Sequence, residues 1–287
     1  MEFINKKDRI FVAGDKGMVG SAVKRSLIKK GYINLLTPKK EKLDLLDFNA
    51  VQKWFKLNKP EIVILAAAKV GGISANFKYP SDFILENLKI QTNVIENSWK
   101  SNVKRFLFLG SSCIYPKYAS QPISEESLLT GSLEPTNQWY ALAKIAGIKL
   151  CESLKLQYGI DTISLMPCNL YGVGDNYNSE SSHVIPGLIK KFYLAKINNQ
   201  KQVICWGSGK PLREFLYVDD LAEASFFILN KWENSKNNAE INNFFKSLSW
   251  LNVGSGTEIS IKELASLISK LVGYEGDIVW DESIPDG

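Results

Sequence analysis

Histidine is nearly missing from this 287-residue chain: His183 is the only one. A single imidazole excludes a histidine-rich metal site and argues against a Ser-His-Asp triad. Cysteine is sparse as well. Cys113, Cys151, Cys168 and Cys205 fall at no metal-like spacing. A chain of this length needs no disulfides, so the four read as free thiols in a reducing, cytoplasmic compartment. Long apolar runs are lacking too: the strongest, Ile62 to Ala68, has the length of a strand and not of a membrane span. The charged N-terminus carries no apolar signal core, which argues against export. Nor is there a basic stripe interleaved with aromatics. Lys and Arg total 35 against 30 acids, and the lysines are scattered. That pattern disfavours nucleic acid and suits anionic small molecules. No repeat period or low-complexity tract is present.

What the chain does have is alternation. Short β-branched runs at Arg9–Ala13, Ile33–Leu36, Glu61–Ala66, Lys104–Gly110 and Thr162–Met166 read as strands. Helical patterns lie between them: Met18–Lys30, a helix that Asp47 can cap, Pro80–Asn102, and one from near Pro135 towards Gly159. This order predicts an α/β fold, a Rossmann-type doubly wound parallel sheet. Beyond Tyr171 the texture changes. Gly172–Ser182 is a loop, a helix follows from about Pro186, and Gly207–Pro211 is a turn before an apolar strand at Arg213–Asp220. Asn234–Asn243 reads as a surface insertion and Ser260–Val272 as a last amphipathic helix. The expected division is a cofactor domain over 1–171, rejoined by segments around 213–230, and a smaller α/β substrate domain over 172–287.

Gly14-Asp-Lys-Gly17-Met-Val-Gly20 follows the first strand and opens the first helix. Glycines there allow a tight turn and a close approach to a pyrophosphate at the helix N-terminus. Gly14, Lys16, Gly17, Met18, Val19 and Gly20 are therefore candidate cofactor contacts. In NAD-binding proteins an acid near the end of the second strand holds the ribose 2′-hydroxyl. Here that stretch is Leu36-Thr-Pro-Lys-Lys40. With Lys16, the ammonium groups of Lys39 and Lys40 favour a 2′-phosphate, hence NADP(H). Asp15 sits awkwardly in such a loop.

Tyr140 and Lys144 are four apart on a helical pattern and share a face. A phenol normally titrates near pH ~10, and an ammonium beside it is expected to stabilise the phenolate. Ser111 supplies a hydroxyl to hold a carbonyl oxygen, with Ser112 as the second choice. Together they suit proton exchange with a carbonyl oxygen while hydride moves at its carbon. Cys113, two residues on, would face the same way along an extended segment. Its thiol is a usable base if positive charge draws it down, although one such Cys alone is more simply a small buried hydrophobe.

The whole chain from Arg9 to Gly287 resembles the GDP-L-fucose synthases, a family within the extended short-chain dehydrogenases/reductases. The motifs that carry the likeness are Gly14–Gly20, Ala66-Ala-Ala-Lys-Val-Gly-Gly-Ile73, Leu107-Phe-Leu-Gly-Ser-Ser-Cys-Ile-Tyr-Pro116 and Leu133-Glu-Pro-Thr-Asn137. Tyr140–Glu152, Asn169-Leu-Tyr-Gly172, Ser182-His-Val-Ile-Pro186 and Trp206-Gly-Ser-Gly209 continue it.

The resemblance implies 3,5-epimerisation and then 4-keto reduction of GDP-4-keto-6-deoxy-D-mannose with NADPH. Ser111, Tyr140 and Lys144 would be the reductase triad, with Cys113 and His183 the epimerisation base and acid. Leu109, Gly110, Ser111 and Ser112, with Pro167, Cys168, Asn169, Leu170 and His183, would line the cofactor pocket. Lys191, Trp206, Arg213 and Asp286 would hold the nucleotide sugar. A homodimer through the helices from Pro80 and Pro135 is also implied.

The chain departs from the family's pattern at Pro38 and Lys191, where basic residues and Arg are usual. It also ends at Gly287, where the family continues, so the substrate wall is expected to be short. An NAD-dependent nucleotide-sugar 4-epimerase and a non-catalytic NADP-binding regulator are the competing readings. A 4,6-dehydratase would want a carboxylate after the catalytic hydroxyl, where this chain has Ser112, Cys113 and Ile114.

Overall fold

The computed structural model describes residues 2–178, 181–232 and 249–284. The 234–243 segment and Asp286 lie outside them. In chain order the elements are β1 (Ile10–Ala13), α1 (Met18–Lys29), β2 (Leu35–Leu36), α2 (Phe48–Asn58), β3 (Ile62–Leu65), α3 (Ile73–Lys78) and α4 (Pro80–Lys100). Next come β4 (Arg105–Leu109), α5 (Gln138–Tyr158), β5 (Thr162–Pro167), β6 (Asn169–Tyr171) and α6 (Val184–Ile197). The last are β7 (Gln202–Trp206), β8 (Leu212–Tyr217), α7 (Val218–Lys231), β9 (Trp250–Val253), β10 (Glu258–Ser260), α8 (Ile261–Val272) and β11 (Asp277–Asp281).

Runs such as Ile62-Val-Ile-Leu65 have no polar face, so they form strands covered on both sides. Every residue of β1, β3, β4 and β5 is buried. They form a six-stranded sheet in the order β2-β1-β3-β4-β5-β9, parallel throughout. Val51, Phe55, Val94, Ile148 and Cys151, from α2, α4 and α5, fill one face. Ala22, Val23 and Leu27 of α1 meet Ala222 and Leu229 of α7 over the other. Arg105 ties the two ends of this layer together. Its buried guanidinium donates to Asp161 at 2.6 Å and to the carbonyls of Leu229 and Trp232, both at 2.7 Å. A buried charge is tolerated when it is paired and bonded in this way.

A third core is separate. Leu188 and Phe192 of α6, Val203 and Cys205 of β7, and Leu264 and Ile268 of α8 make it. Around it β11 pairs with β7, and β8 lies between β6 and β10.

Caps set several boundaries. Asp47 accepts from the Ala50 amide at 3.1 Å to start α2, and Ser260 with Glu263 forms a capping box on α8. Helix α5 begins at Gln138 and not Pro135, because 134–137 form a turn closed by the Asn137 amide on Glu134. Helix α6 begins before Pro186, since a proline in the first turn removes an amide that has no helical partner. Among the described residues, no helix is long and apolar enough to cross a membrane.

Candidate active site

The carboxyl ends of the parallel strands converge on one cavity of about 2360 Å³. Strand order reverses beside β1, where a parallel sheet opens a crevice. Gly14 leaves β1 at φ +89°, and a Cβ there would lie 2.7 Å from the Ala67 amide nitrogen at the end of β3. A Cβ on Gly20 would run into the Gly14 carbonyl. These two glycines are required by the turn and by the close packing of α1. Lys16, Gly17, Met18 and Val19 complete this wall. No side chain caps the N-terminus of α1, and no acid stands in its first turn. Asp15, out of place beside a phosphate, is ion-paired with Lys24 at 2.9 Å.

Strand β4 delivers the candidate hydroxyl. Gly110, Ser111, Ser112 and Cys113 line the cavity just past it, and a Cβ on Gly110 would press on Met166. The segment is not extended as expected. The Ser111 hydroxyl accepts the Cys113 amide at 3.4 Å and starts a short 3-10 turn over Ser112–Ile114. That turn still keeps the thiol and hydroxyl on the same cavity wall.

Tyr140, one turn into α5, reaches the same space. Lys144 is only 4% exposed and stands behind the lining. Its ammonium donates to the Leu109 carbonyl at 2.7 Å and sits 5.6 Å from the centre of the Tyr140 ring. Burial pulls Lys144 down to about 8, while the Cys113 thiol works the other way. The Tyr140 phenol is pushed up by burial and further by Cys113. This reverses the expected lowering: the ammonium is spent on a carbonyl, and desolvation outweighs it. Burial likewise lifts Cys113 to about 11, against opposing pulls from the Ser111 hydrogen bond and Lys144. At neutral pH the site therefore holds a phenol, a thiol and an ammonium.

Pro167, Cys168, Asn169 and Leu170 carry the wall on from β5, and Asn169 donates to the Glu214 carbonyl at 3.0 Å. His183, the N-cap of α6, lines the same cavity. Lys191, Trp206 and Arg213 share the cavity. Trp206 is 65% exposed, so it is no core aromatic; the Lys191 ammonium lies 5.4 Å above its ring and donates to Ile204. Lys40 lines the cavity near the second strand, whereas Lys39 and Leu109 do not.

Two further lining residues are Asn76, which no motif singled out, and Asn137, which closes a family motif but was given no role. Asn76 donates to Gly71 and Gly72 at 2.9 and 3.2 Å, and its buried Oδ1 has no partner among the described residues. Asn137, the N-cap of α5, also leaves its buried Oδ1 unpartnered. Only packing reveals such atoms.

Comparison with known proteins accords with this arrangement. The NAD dependent epimerase/dehydratase family matches residues 10–242. The chain belongs to this family. Within it, GDP-L-fucose synthase 1 of Arabidopsis thaliana is 52% identical over 99% of this chain and 84% of its own length. The GDP-L-fucose synthase of Escherichia coli (strain K12) is 50% identical over 98% of the chain and 86% of its own. A GDP-mannoheptose C4 reductase from Campylobacter jejuni, solved with NADP bound, superposes with a TM-score of 0.85 at 36% identity, covering 97% and 89% of the two chains.

The dinucleotide of the epimerase/dehydratase family fits the residues present. The crevice beside β1, the two glycines with no room for a Cβ and the uncapped end of α1 form a cradle for a pyrophosphate.

Proposed function

We propose that this protein converts GDP-4-keto-6-deoxy-D-mannose to GDP-L-fucose, by epimerisation at C3 and C5 followed by reduction at C4 with NADPH. One observation carries the reading: Cys113 and His183 share a single cavity with Tyr140, Ser111 and the dinucleotide loop. Lys16 and Lys40 on the same wall favour a 2′-phosphate, and Lys39 adds charge just outside. Residues 1–171 with α7 and β9 would serve as the cofactor domain, and the third core with its small sheets as the substrate domain.

In a 4-keto sugar the protons on C3 and C5 both flank the carbonyl, so they are acidified. Cys113 removes a proton from one face and His183 returns one to the other. A thiol held near 11 ionises rarely at neutral pH, and its thiolate is correspondingly a strong base for a carbon acid. The hydroxyls of Ser111 and Tyr140 hold the oxygen at C4 while negative charge builds on it. The nicotinamide, when bound, supplies the hydride. Tyr140 then gives its proton to the C4 oxygen, and a phenol kept protonated by burial suits that direction. Lys144 holds positive charge behind the phenol and compensates the phenolate left behind. At the other end Trp206 covers an apolar face of the nucleotide sugar, while Lys191 and Arg213 meet its phosphates. Asp286 is assigned to the same end by resemblance alone.

We expect a homodimer through α4 and α5, where Leu85, Trp139 and Leu142 are exposed on the outer surface; sedimentation at monomer mass would overturn it. The activity is tested by NADPH oxidation with the 4-keto sugar in heavy water. Deuterium is expected at C3 and C5 of a GDP-L-fucose product. Cys113→Ser should cut that incorporation by about 10²-fold. Incorporation at the wild-type rate removes Cys113 from the chemistry.

A further inference from the structure

The loop after β3 meets the segment that enters α6 at the cavity wall, and one peptide group makes the junction. The Gly72 amide donates to the Ser181 carbonyl at 3.1 Å. The carbonyl of the same peptide, that of Gly71, accepts the Asn76 side-chain amide at 2.9 Å. A trans peptide is planar, with its C=O and N–H pointing opposite ways, so this one is gripped at both ends. Asn76 also donates to the Gly72 carbonyl, at 3.2 Å. The entering segment comes as close one residue later. A Cβ on Gly72 would stand 2.8 Å from the Ser182 carbonyl oxygen, and that carbonyl forms the peptide bond with His183. Gly72 has φ −65°, which any residue adopts. Contact with Ser182, and not backbone geometry, is therefore what a side chain there would offend.

Asn76 is 4% exposed. Its nitrogen serves both glycine carbonyls, and its buried Oδ1 has no partner among the described residues. Turning the amide over would set that oxygen against the same two carbonyls. A buried acceptor without a donor is costly, and the bonds to the glycine peptide offset that cost. Hydrogen bonds chained through one peptide also strengthen each other. Asn87 of α4 fixes the same loop upstream: it accepts the Lys69 amide and donates to the Lys69 carbonyl, both at 2.9 Å.

We propose that Asn76 is a positioning residue for His183, acting through the Gly71–Gly72 peptide, which latches the segment entering α6 to the loop after β3. It sets where the His183 backbone stands in the cavity shared with Cys113. The proposal rests on the epimerisation reading for its rate test, whereas its structural test needs no sugar.

Backbone amide exchange reads the latch in the full ligand-free chain. The Gly72 amide should exchange at least about 100-fold more slowly than in an unstructured peptide, and Asn76→Ala should speed it about 10-fold. His183 is the only histidine, so labelled histidine gives one imidazole spectrum, which Asn76→Ala should shift. Two rates are then compared. One is deuterium incorporation at C3 and C5 of the 4-keto sugar. The other is oxidation of GDP-L-fucose by NADP+, in which hydride passes from C4 to the nicotinamide and the hydroxyl proton to the Tyr140 phenolate. In Asn76→Ala the first should fall about 10-fold relative to the second, through kcat and not KM. A merely structural role would lower both together, and equal losses overturn the proposal. So does a wild-type Gly72 amide that exchanges freely, or an Asn76→Ala chain whose imidazole spectrum is unaltered. If Asn76→Ala does not fold, Gly72→Ala, which keeps Asn76 and crowds Ser182, is read for the same imidazole shift and the same rate ratio. Should the wild type turn over no 4-keto sugar, the functional reading fails, and amide exchange with the His183 spectrum still decides the latch.

Discussion

Strand β4 is buried at all five residues, whereas β7 alternates exposed and buried along its length. The contrast extends to the regions they belong to. The six-stranded sheet has helices on both faces, and its reactive groups are pinned: Lys144 to the Leu109 carbonyl, Ser111 into a turn. The region around β7 and β8 is covered on one side and turns Trp206, Lys191 and Arg213 towards the cavity. On the proposed mechanism, reduction draws on groups from the first region alone. Epimerisation would draw on Cys113 from the first and His183 from the second. In that mechanism the reductive half of the site is built into one region, while the inverting half depends on how the two regions meet.

The largest effect expected is at Tyr140. Tyr140→Phe should lower the reduction rate by about 10³–10⁴-fold with no change in the urea midpoint; residual activity above a tenth of wild type would deny the phenol its role. Next comes a paired test of scaffold against surface. Phe108→Ala, in the double-faced core, should cost about 3–5 kcal/mol. Trp206→Ala should cost under about 0.5 kcal/mol while raising KM. Similar stability losses for the two would erase the contrast.

Smaller is a pH effect at Lys144. Its ammonium titrates at about 8 in the folded chain against an ordinary 10.5. Below pH 8 both folded and unfolded chains hold the proton, so the cost of the buried charge is constant. Between 8 and 10.5 the folded chain has shed it and the unfolded chain has not, so stability rises with pH. The rise approaches roughly 3 kcal/mol. Lys144→Met should remove it, and the difference in unfolding free energy between wild type and variant, measured at pH 7.5 and 10.5, reads the effect directly. An unchanged difference would show that the ammonium is not desolvated. The smallest effect is at the cofactor's far end. Replacing Lys39 and Lys40 by Ala should weaken NADPH about 10-fold and NADH little; equal losses would point to NAD.

Much of this was readable beforehand where periodicity was strong. Ile62–Leu65 and Pro80–Lys100 could be little else, and the loop from Gly14 to Gly20 announced its own turn. Strands β6 and β10 were not legible, since three residues with an exposed side give no run. The start of α7 has no mark in the sequence because Val218 follows Tyr217 without a break, and the apolar pattern of β8 runs straight into the helix. In the site, residue types with intrinsic chemistry stood out: Tyr140, Lys144, Cys113, His183. Asn76 did not, because an amide in a short helix becomes informative only once packing strips its oxygen of a partner. The electrostatic expectation failed at Tyr140 for a related reason: spacing tells that an ammonium is near, and not how much water both groups have lost.

The Arg105 guanidinium bears on the order in which the polypeptide matures during synthesis. Its acceptors at Leu229 and Trp232 are made more than a hundred residues later, and the strand beside β5 later still. A nascent chain that has just finished its glycine turn and its Tyr-Lys helix thus carries an unsheltered cation and an open sheet edge. The last two acceptors of Arg105 and the closing of the β5 edge come from residues 229–253, so shortening the chain before residue 253 should leave the edge open, and before residue 229 both unmade.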